Sequence, residues 1–158
     1  MFKRASVVEP NRLLLDSYLH AVGAVQAEAV LPMRLPPCPS GDLIVVGAGK
    51  ASAAMAASVE RHWAGRRPPR GLVLTRHGHG VETKSIDIVE AGHPLPDAQG
   101  LMACAELLHL VRSAKPEDHV LALISGGGSS LLTLPEDGLD LADIRDITGQ
   151  LLRSGVPI

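Results

Sequence analysis

Aromatic residues are almost absent from this sequence, whose 158 residues include one Trp, one Tyr and one Phe. Proteins that bind single-stranded nucleic acid combine stacked aromatic side chains with a basic groove. The chain offers little for either, because 15 Lys and Arg stand against 17 Asp and Glu and the net charge is -2. Nucleic acid is therefore not an expected partner. The remaining composition, 46% hydrophobic and 20% charged, is ordinary for one folded globular domain.

Cysteine and long apolar runs are also scarce. The two cysteines, Cys38 and Cys104, cannot form the disulfide framework that small secreted domains use. No stretch of the roughly 18 apolar residues needed to span a bilayer occurs, and the N-terminus reaches Glu9 without the apolar run of a signal peptide. We therefore expect a cytoplasmic protein with no membrane partner.

Short apolar runs alternate with helical patterns along most of the chain. Amphipathic spacing predicts a leading helix within residues 10–30, and four prolines predict an extended connector at 31–41. The wholly apolar runs 43–46 and 120–124 are typical of strands buried on both faces. The other expected elements are strands at 72–75 and 86–89 and helices at 50–63, 98–113 and 141–152. This order predicts an α/β fold, one Rossmann-like domain over residues 1–158 with a mainly parallel sheet and helices on both faces.

The first candidate site is the loop that contains Gly47, Gly49 and Lys50, between a buried strand and an Ala-rich helix. Glycines allow a tight turn, and the N–H groups at a helix start attract anions, to which Lys50 would add its charge. The loop lacks the first glycine and the Ser/Thr of a P-loop. It also departs from the dinucleotide fingerprint, because Ser52 stands at the third glycine position and Arg76 ends the next strand. The alternative is a tight turn beside a solvated lysine.

The second candidate site is the run Ser125-Gly126-Gly127-Gly128-Ser129-Ser130, directly after a predicted strand. Three consecutive glycines flanked by hydroxyls can form a nest of N–H groups around phosphate or carboxylate oxygens. In a purely structural turn they would be entropically costly. Because loops at the carboxyl ends of parallel strands meet at one edge, we expect both loops to share a cleft. No Gly-x-Ser-x-Gly elbow is present, which disfavours a serine hydrolase.

The third candidate site follows the third strand and contains His93, directly before Pro94, and Asp97, directly after Pro96. Both are candidate site residues, as is Arg76, although Asp97 is also placed to act as the N-cap of the next helix. His77 and His79 have the His-x-His spacing of some metal sites, but no third ligand lies at motif distance. We interpret both as ordinary loop residues and predict no metal site.

Four ordered segments carry a family resemblance. They are Val45-Val46-Gly47-Ala48-Gly49-Lys50-Ala51-Ser52, Arg76-His77-Gly78-His79-Gly80, Gly92-His93-Pro94-Leu95-Pro96-Asp97 and Leu123-Ile124-Ser125-Gly126-Gly127-Gly128-Ser129-Ser130. In this order they resemble the N-terminal domain of the class II glycerate kinases, the glycerate 2-kinase family whose members are often named hydroxypyruvate reductases. The resemblance runs from about residue 10 to the last residue.

The resemblance implies a kinase that uses ATP and a divalent cation such as Mg2+ to phosphorylate the 2-hydroxyl of D-glycerate. The site would lie in a cleft between this domain and a C-terminal domain. Lys50 matches the family's lysine and would neutralise charge on the transferred phosphoryl group or on the substrate carboxylate. The Ser125–Ser130 loop would cradle one of those anions. The expected partners are D-glycerate and either a second copy of the chain or a C-terminal half.

The chain stops at Ile158, just before the family's Asn-x-Val-Arg-Lys-His-Leu-Ser segment. We therefore expect a truncated product, a fragment or half of a split enzyme, inactive alone because phosphoryl transfer needs both walls of a cleft. Two alternatives stay open. One is an NAD(P)H-dependent hydroxypyruvate reductase, suggested by the paired glycines Gly47 and Gly49 and by Arg76. The other is a non-catalytic binding or assembly domain.

Overall fold

A computed structural model describes residues 9–155 of the chain. The helices are α1 (Pro10–Ala24), α2 (Ala27–Val30), α3 (Ser52–His62), α4 (Ala98–Arg112), α5 (Gly128–Leu131) and α6 (Leu141–Ser154). The strands are β1 (Leu43–Ala48), β2 (Arg70–Arg76), β3 (Ile86–Ala91) and β4 (His119–Ile124). Within this part of the chain, no helix combines the length and the apolar character needed to cross a membrane.

The strands of the described part form one parallel sheet in the order β3-β2-β1-β4. β1 lies between β2 and β4, with Val46 opposite both Leu72 and Ala122. All six residues of β1 are buried, as expected for its apolar run. The predicted parallel α/β sheet is confirmed. Because the strands run in one direction, the loops that follow them emerge at one edge.

Helices cover both faces of the sheet, as predicted. Successive residues of a strand point to opposite faces, so each central strand contributes side chains to two hydrophobic cores, one on each face of the sheet. On one face Val45 packs with Val59 of α3, and Trp63, only 3% exposed, belongs to the same core. On the other face Leu74 packs with Ala103 of α4. The small residues of α3 and α4 let both helix backbones lie close to the sheet.

β4 is the exception to the predicted burial. Its apolar run predicts a strand covered on both faces, but β4 is an edge strand and only Leu123 is buried. Val120 is 45% exposed and Ile124 is 58% exposed. The reason is that α4 packs on β1, β2 and β3, which leaves the side of β4 that carries these two residues uncovered within the described part of the chain.

The predicted leading helix within residues 10–30 is not continuous. α1 ends at Ala24, and Gln26 takes an extended backbone (φ -61°, ψ 147°) before α2 begins. The interruption lets α2 dock on α3, where Glu28 forms an ion pair with Arg61 and the carbonyl of Ala27 accepts a hydrogen bond from Ser58. Amphipathic spacing alone could not reveal this break, because it comes from contacts with a later helix.

Candidate functional site

The loops after β1, β3 and β4 converge on Gly127. A side-chain carbon added at Gly127 would lie 2.5 Å from Nε2 of His93 and 3.1 Å from Cε of Lys50. The imidazole and the lysine side chain therefore lie directly beside the backbone of the triple-glycine loop. The structure thus brings together residues from all three predicted loops at the carboxyl edge of the sheet.

Lys50, Arg76 and His93 form what we call the basic cluster. Among residues 9–155, no hydrogen bond or ion pair involves the Lys50 ammonium or the Arg76 guanidinium. Burial lowers the pKa of His93, and the charges of Lys50 and Arg76 lower it further. Two cations that have no carboxylate partner among residues 9–155 and that lower the pKa of a nearby imidazole form an environment that an anion would stabilise.

Four N–H groups that lead into α3, those of residues 49–52, already have acceptors. Gly49 N donates to Leu74 O at 3.1 Å, Lys50 N to Gly126 O at 3.0 Å, Ala51 N to Ser125 Oγ at 3.0 Å, and Ser52 N to Gly49 O at 3.2 Å. In this arrangement these four N–H groups are not open to an anion. Those of Lys50 and Ala51 join the first glycine loop to the second, whereas the Lys50 side chain has no hydrogen bond within residues 9–155.

Close packing accounts for the glycines of the first loop. A side-chain carbon at Gly47 would collide with the carbonyl of Leu123, and one at Gly49 would collide with Ser125. Gly49 also has φ +138°, a conformation that favours glycine. Ser52 is buried, and its Oγ lies within hydrogen-bond distance of the carbonyls of Gly49 and Leu74. These residues fix the position of Lys50 rather than form a dinucleotide fingerprint.

The second glycine loop has two parts with different roles. Ser125 and Gly126 hold the first loop, whereas Gly127 adopts φ +86° and begins the short helix α5. No acceptor is recorded within residues 9–155 for the N–H groups of Gly127, Gly128 and Ser129. Ser130 Oγ donates to Gly127 O at 3.3 Å. The helical turn at residues 128–131 was not predicted, although a buried Leu131 after two serines is consistent with it.

The loop after β2 is held by Glu90, a residue that the motif analysis missed. The Glu90 carboxylate accepts hydrogen bonds from Gly80 N at 2.6 Å and from Gly78 N at 3.1 Å. These two bonds lower the pKa of Glu90. His79 Nδ1 lies 3.2 Å from the carbonyl of Lys50. An acidic residue near the end of a predicted strand is the only sequence signal that pointed to this role.

Asp97 is the N-cap of α4, as one of its two interpretations predicted. Its Oδ1 accepts from Gly100 N at 2.8 Å, and its Oδ2 lies 3.0 Å from Nε2 of His77. Burial raises the pKa of Asp97, but these hydrogen bonds and one from Gly92 outweigh it and lower the pKa overall. His77 and His79 thus have separate partners. Among residues 9–155, no group of three or more His, Cys, Asp or Glu is arranged to hold a metal ion.

A groove adjoins the basic cluster and runs along α6. It has a volume of about 490 Å³ and lies between the loop of residues 93–96, the turn of α5 and the helix α6. Arg145 of α6 donates to the carbonyl of Pro96 at 2.6 Å, which ties the helix to that loop. The side chain of Asp140 accepts from Asp143 N, and that of Asp143 accepts from Asp140 N, so α6 begins with a capping box.

Comparison with known proteins identifies relatives of the whole described region. Residues 13–158 match the family described as a domain of unknown function, DUF4147. A protein of Agrobacterium vitis named as a hydroxypyruvate reductase is 44% identical over 154 residues, which cover 96% of this chain and 34% of that protein. The D-glycerate 2-kinase of Thermotoga maritima is 34% identical over 149 residues, which cover 94% of this chain and 36% of the kinase.

A solved structure has the same fold. The crystal structure of a glycerate kinase from Thermotoga maritima superposes with a TM-score of 0.75 at 33% identity, over 92% of this chain and 35% of that one. The chain thus spans about a third of the length of the relatives it matches. With the predicted resemblance confirmed over nearly its whole length, the chain belongs to the DUF4147 family, together with glycerate 2-kinases and proteins named as hydroxypyruvate reductases.

Proposed function

We propose that this chain forms the anion-binding part of an ATP-dependent glycerate 2-kinase. The observation that carries the proposal is the basic cluster beside Gly127, where Lys50 and Arg76 lack carboxylate partners among the described residues. Both substrates of such a kinase, ATP and D-glycerate, are anions. Unpaired cations at the carboxyl edge of a parallel sheet are the groups that phosphoryl transfer requires.

Charge determines the role of each residue. Phosphoryl transfer needs little covalent chemistry from the protein and depends on cations and N–H dipoles held around the reacting oxygens. Lys50 is the proposed catalytic residue and neutralises charge on the transferred phosphoryl group or on the glycerate carboxylate. The N–H groups of residues 127–129 cradle the same anion or its neighbour, and Ser130 supports the turn. Arg76 and His93 complete the cluster.

The other candidates act through position. Gly47 and Gly49 let the backbones of two loops approach each other, and Ser125 and Gly126 join those loops by hydrogen bonds. Asp97 begins α4 and holds His77. These contacts fix Lys50 relative to the turn at Gly127, so we assign them no contact with the reacting atoms.

Mg2+ and the remaining partners also belong to this proposal. Mg2+ is commonly held by one or two carboxylates together with substrate phosphates. Asp97, a carboxylate among the candidate site residues, is engaged by the α4 N-terminus and by His77. We therefore assign no Mg2+ ligand to the described residues and derive no step through the ion. A cytoplasmic location, and a second copy or a complementing C-terminal part as partner, remain predictions.

The reductase name does not favour a different chemistry for this site. A dinucleotide fingerprint needs a third glycine for close approach of helix and strand, and here that position is Ser52, whose hydroxyl faces the carbonyls of Gly49 and Leu74. Strand β2 ends at Arg76, with no acidic residue for a ribose diol. The geometry therefore supports hydride transfer less well than phosphoryl transfer.

A coupled assay tests the proposal. ADP release is measured with D-glycerate, tartronate and hydroxypyruvate, for this chain alone and for the chain joined to the complementing part of the Thermotoga maritima kinase. We expect ADP release with D-glycerate in the joined protein and its loss on Lys50→Ala. Oxidation of NADH or NADPH with hydroxypyruvate, without ATP consumption, would contradict the proposal.

A further inference from the structure

The groove along α6 has no role in the function proposed above, yet it is continuous with the basic cluster. Both His93 and Gly127 line the groove. The same two residues adjoin Lys50, whose Cε lies 3.1 Å from where a side-chain carbon at Gly127 would stand. A ligand that lies in the groove can therefore also contact Lys50.

The groove is uncharged and has two kinds of lining. Apolar side chains come from Ile144, Leu151 and Leu152 of α6, and hydroxyls come from residues that include Thr133 and Thr148. No Asp, Glu, Lys or Arg is among the described residues that line it. Leu151 and Leu152 are 42% and 41% exposed. Covering them would be favourable, because apolar surface is removed from water.

The size and polarity of the groove favour the nucleotide over D-glycerate as its ligand. D-glycerate carries an oxygen on each of its three carbons, so it has no apolar surface to place against leucines, and the basic cluster suffices for it. A nucleotide joins a charged phosphate chain to a hydroxyl-bearing ribose and a flat, uncharged base. Pockets for ligands of this size have volumes of roughly 300–1,000 Å³ and apolar walls with a few polar groups, and the groove measures about 490 Å³.

We propose that the groove along α6 binds the nucleoside half of the phosphoryl donor. The base lies against the leucines of α6, the ribose reaches the hydroxyls, and the phosphate chain extends to Lys50 and Gly127. The hydrogen bond from Arg145 to Pro96 O links α6 to the loop on the other side of the groove. This assignment rests on the proposed function for the identity of the donor, but it can be tested by binding alone.

The test fills the groove without adding charge. Thr148→Phe places an aromatic ring in the groove, and Ile147→Phe is the matched control, since Ile147 lies on the same helix, is 54% exposed and does not line the groove. Calorimetry on the chain compares ATP, inorganic triphosphate and D-glycerate. Thr148→Phe should weaken ATP binding about tenfold or more and leave triphosphate binding unchanged. Ile147→Phe should bind all three ligands like the parent chain.

A second measurement does not depend on how the variant folds. Photolabelling of the parent chain with 8-azido-ATP, followed by peptide mapping, should mark residues 144–152. Labelling elsewhere, or equal affinity of the parent chain for ATP and inorganic triphosphate, would overturn the assignment, as would an absence of nucleotide binding. In that case Leu151 and Leu152 would be covered by another protein segment or would stay exposed.

The two proposals can fail separately. If Thr148→Phe weakens ATP binding but the joined protein transfers no phosphoryl group, the nucleoside site is supported and the kinase proposal is contradicted. If the joined protein transfers the phosphoryl group and its KM for ATP does not change on Thr148→Phe, the kinase proposal is supported and the nucleoside site is contradicted.

Discussion

Gly127→Ala should have two effects, a loss of unfolding free energy and a loss of anion affinity, which a matched control variant can separate. Gly127 has φ +86°, and an L-residue in this region costs about 1–2 kcal/mol. The new methyl group would also lie 2.5 Å from His93 Nε2 and 3.1 Å from Lys50 Cε, so both side chains must move. The first effect lowers stability and the second disturbs the basic cluster.

Gly138→Ala is the matched control. Gly138 has φ +89°, almost the same value, but no heavy atom lies within 4 Å of the added carbon. Urea unfolding should therefore show that both variants lose about 1–2 kcal/mol of unfolding free energy. Calorimetry with inorganic triphosphate should show that only Gly127→Ala loses affinity, by about tenfold or more. The larger change Gly127→Val adds a β-branched side chain and should lower both quantities further.

The reasoning would be refuted by triphosphate affinity that is the same in both alanine variants. In that case the methyl group would occupy the space beside His93 and Lys50 without consequence, and the anion could not lie there. Circular dichroism at the binding temperature checks that each variant is folded, so a loss of affinity cannot be assigned to unfolded protein.

Three further predictions concern single residues. Lys50→Ala in the joined, active protein should lower turnover on the order of a hundredfold or more, while Lys84→Ala, far from the basic cluster, leaves it within about threefold; equal effects would contradict the role of Lys50. The pKa of His93 is lowered by burial and by two nearby cations, and a bound anion should raise it by offsetting those charges. Sulfate affinity measured by calorimetry should therefore increase as the pH falls from about 8 to about 6. The variant His93→Gln should lose this pH dependence. The same lowered pKa means that the unfolded chain binds this proton more readily, so His93 contributes stability that is lost as the pH falls below its ordinary value. Asp140→Ala removes the capping box of α6 and should cost about 1 kcal/mol in urea unfolding; no loss would mean that α6 adds nothing to stability.

Local sequence chemistry determined most of the elements and several of their ends. The buried strand β1 follows from its apolar run, and the Asp97 N-cap follows from a short carboxylate placed three residues before a free N–H. The α/β class follows from alternating strands and helices. The four ordered motifs also determined the family, because each is a loop whose residues stand together in the sequence.

Only the tertiary structure decided which of these loops meet and what their atoms contact. The order β3-β2-β1-β4 makes β4 an edge strand, which leaves Ile124 exposed although its run resembles that of β1. Lys50 N and Ala51 N donate to the second glycine loop, and the fold places the side chains of Lys50 and His93 beside Gly127, where we propose the anion site. Glu90 is not part of a sequence motif, because its partners Gly78 and Gly80 belong to the loop after the neighbouring strand β2. Such contacts join residues far apart in the chain, and spacing within one segment carries no information about them.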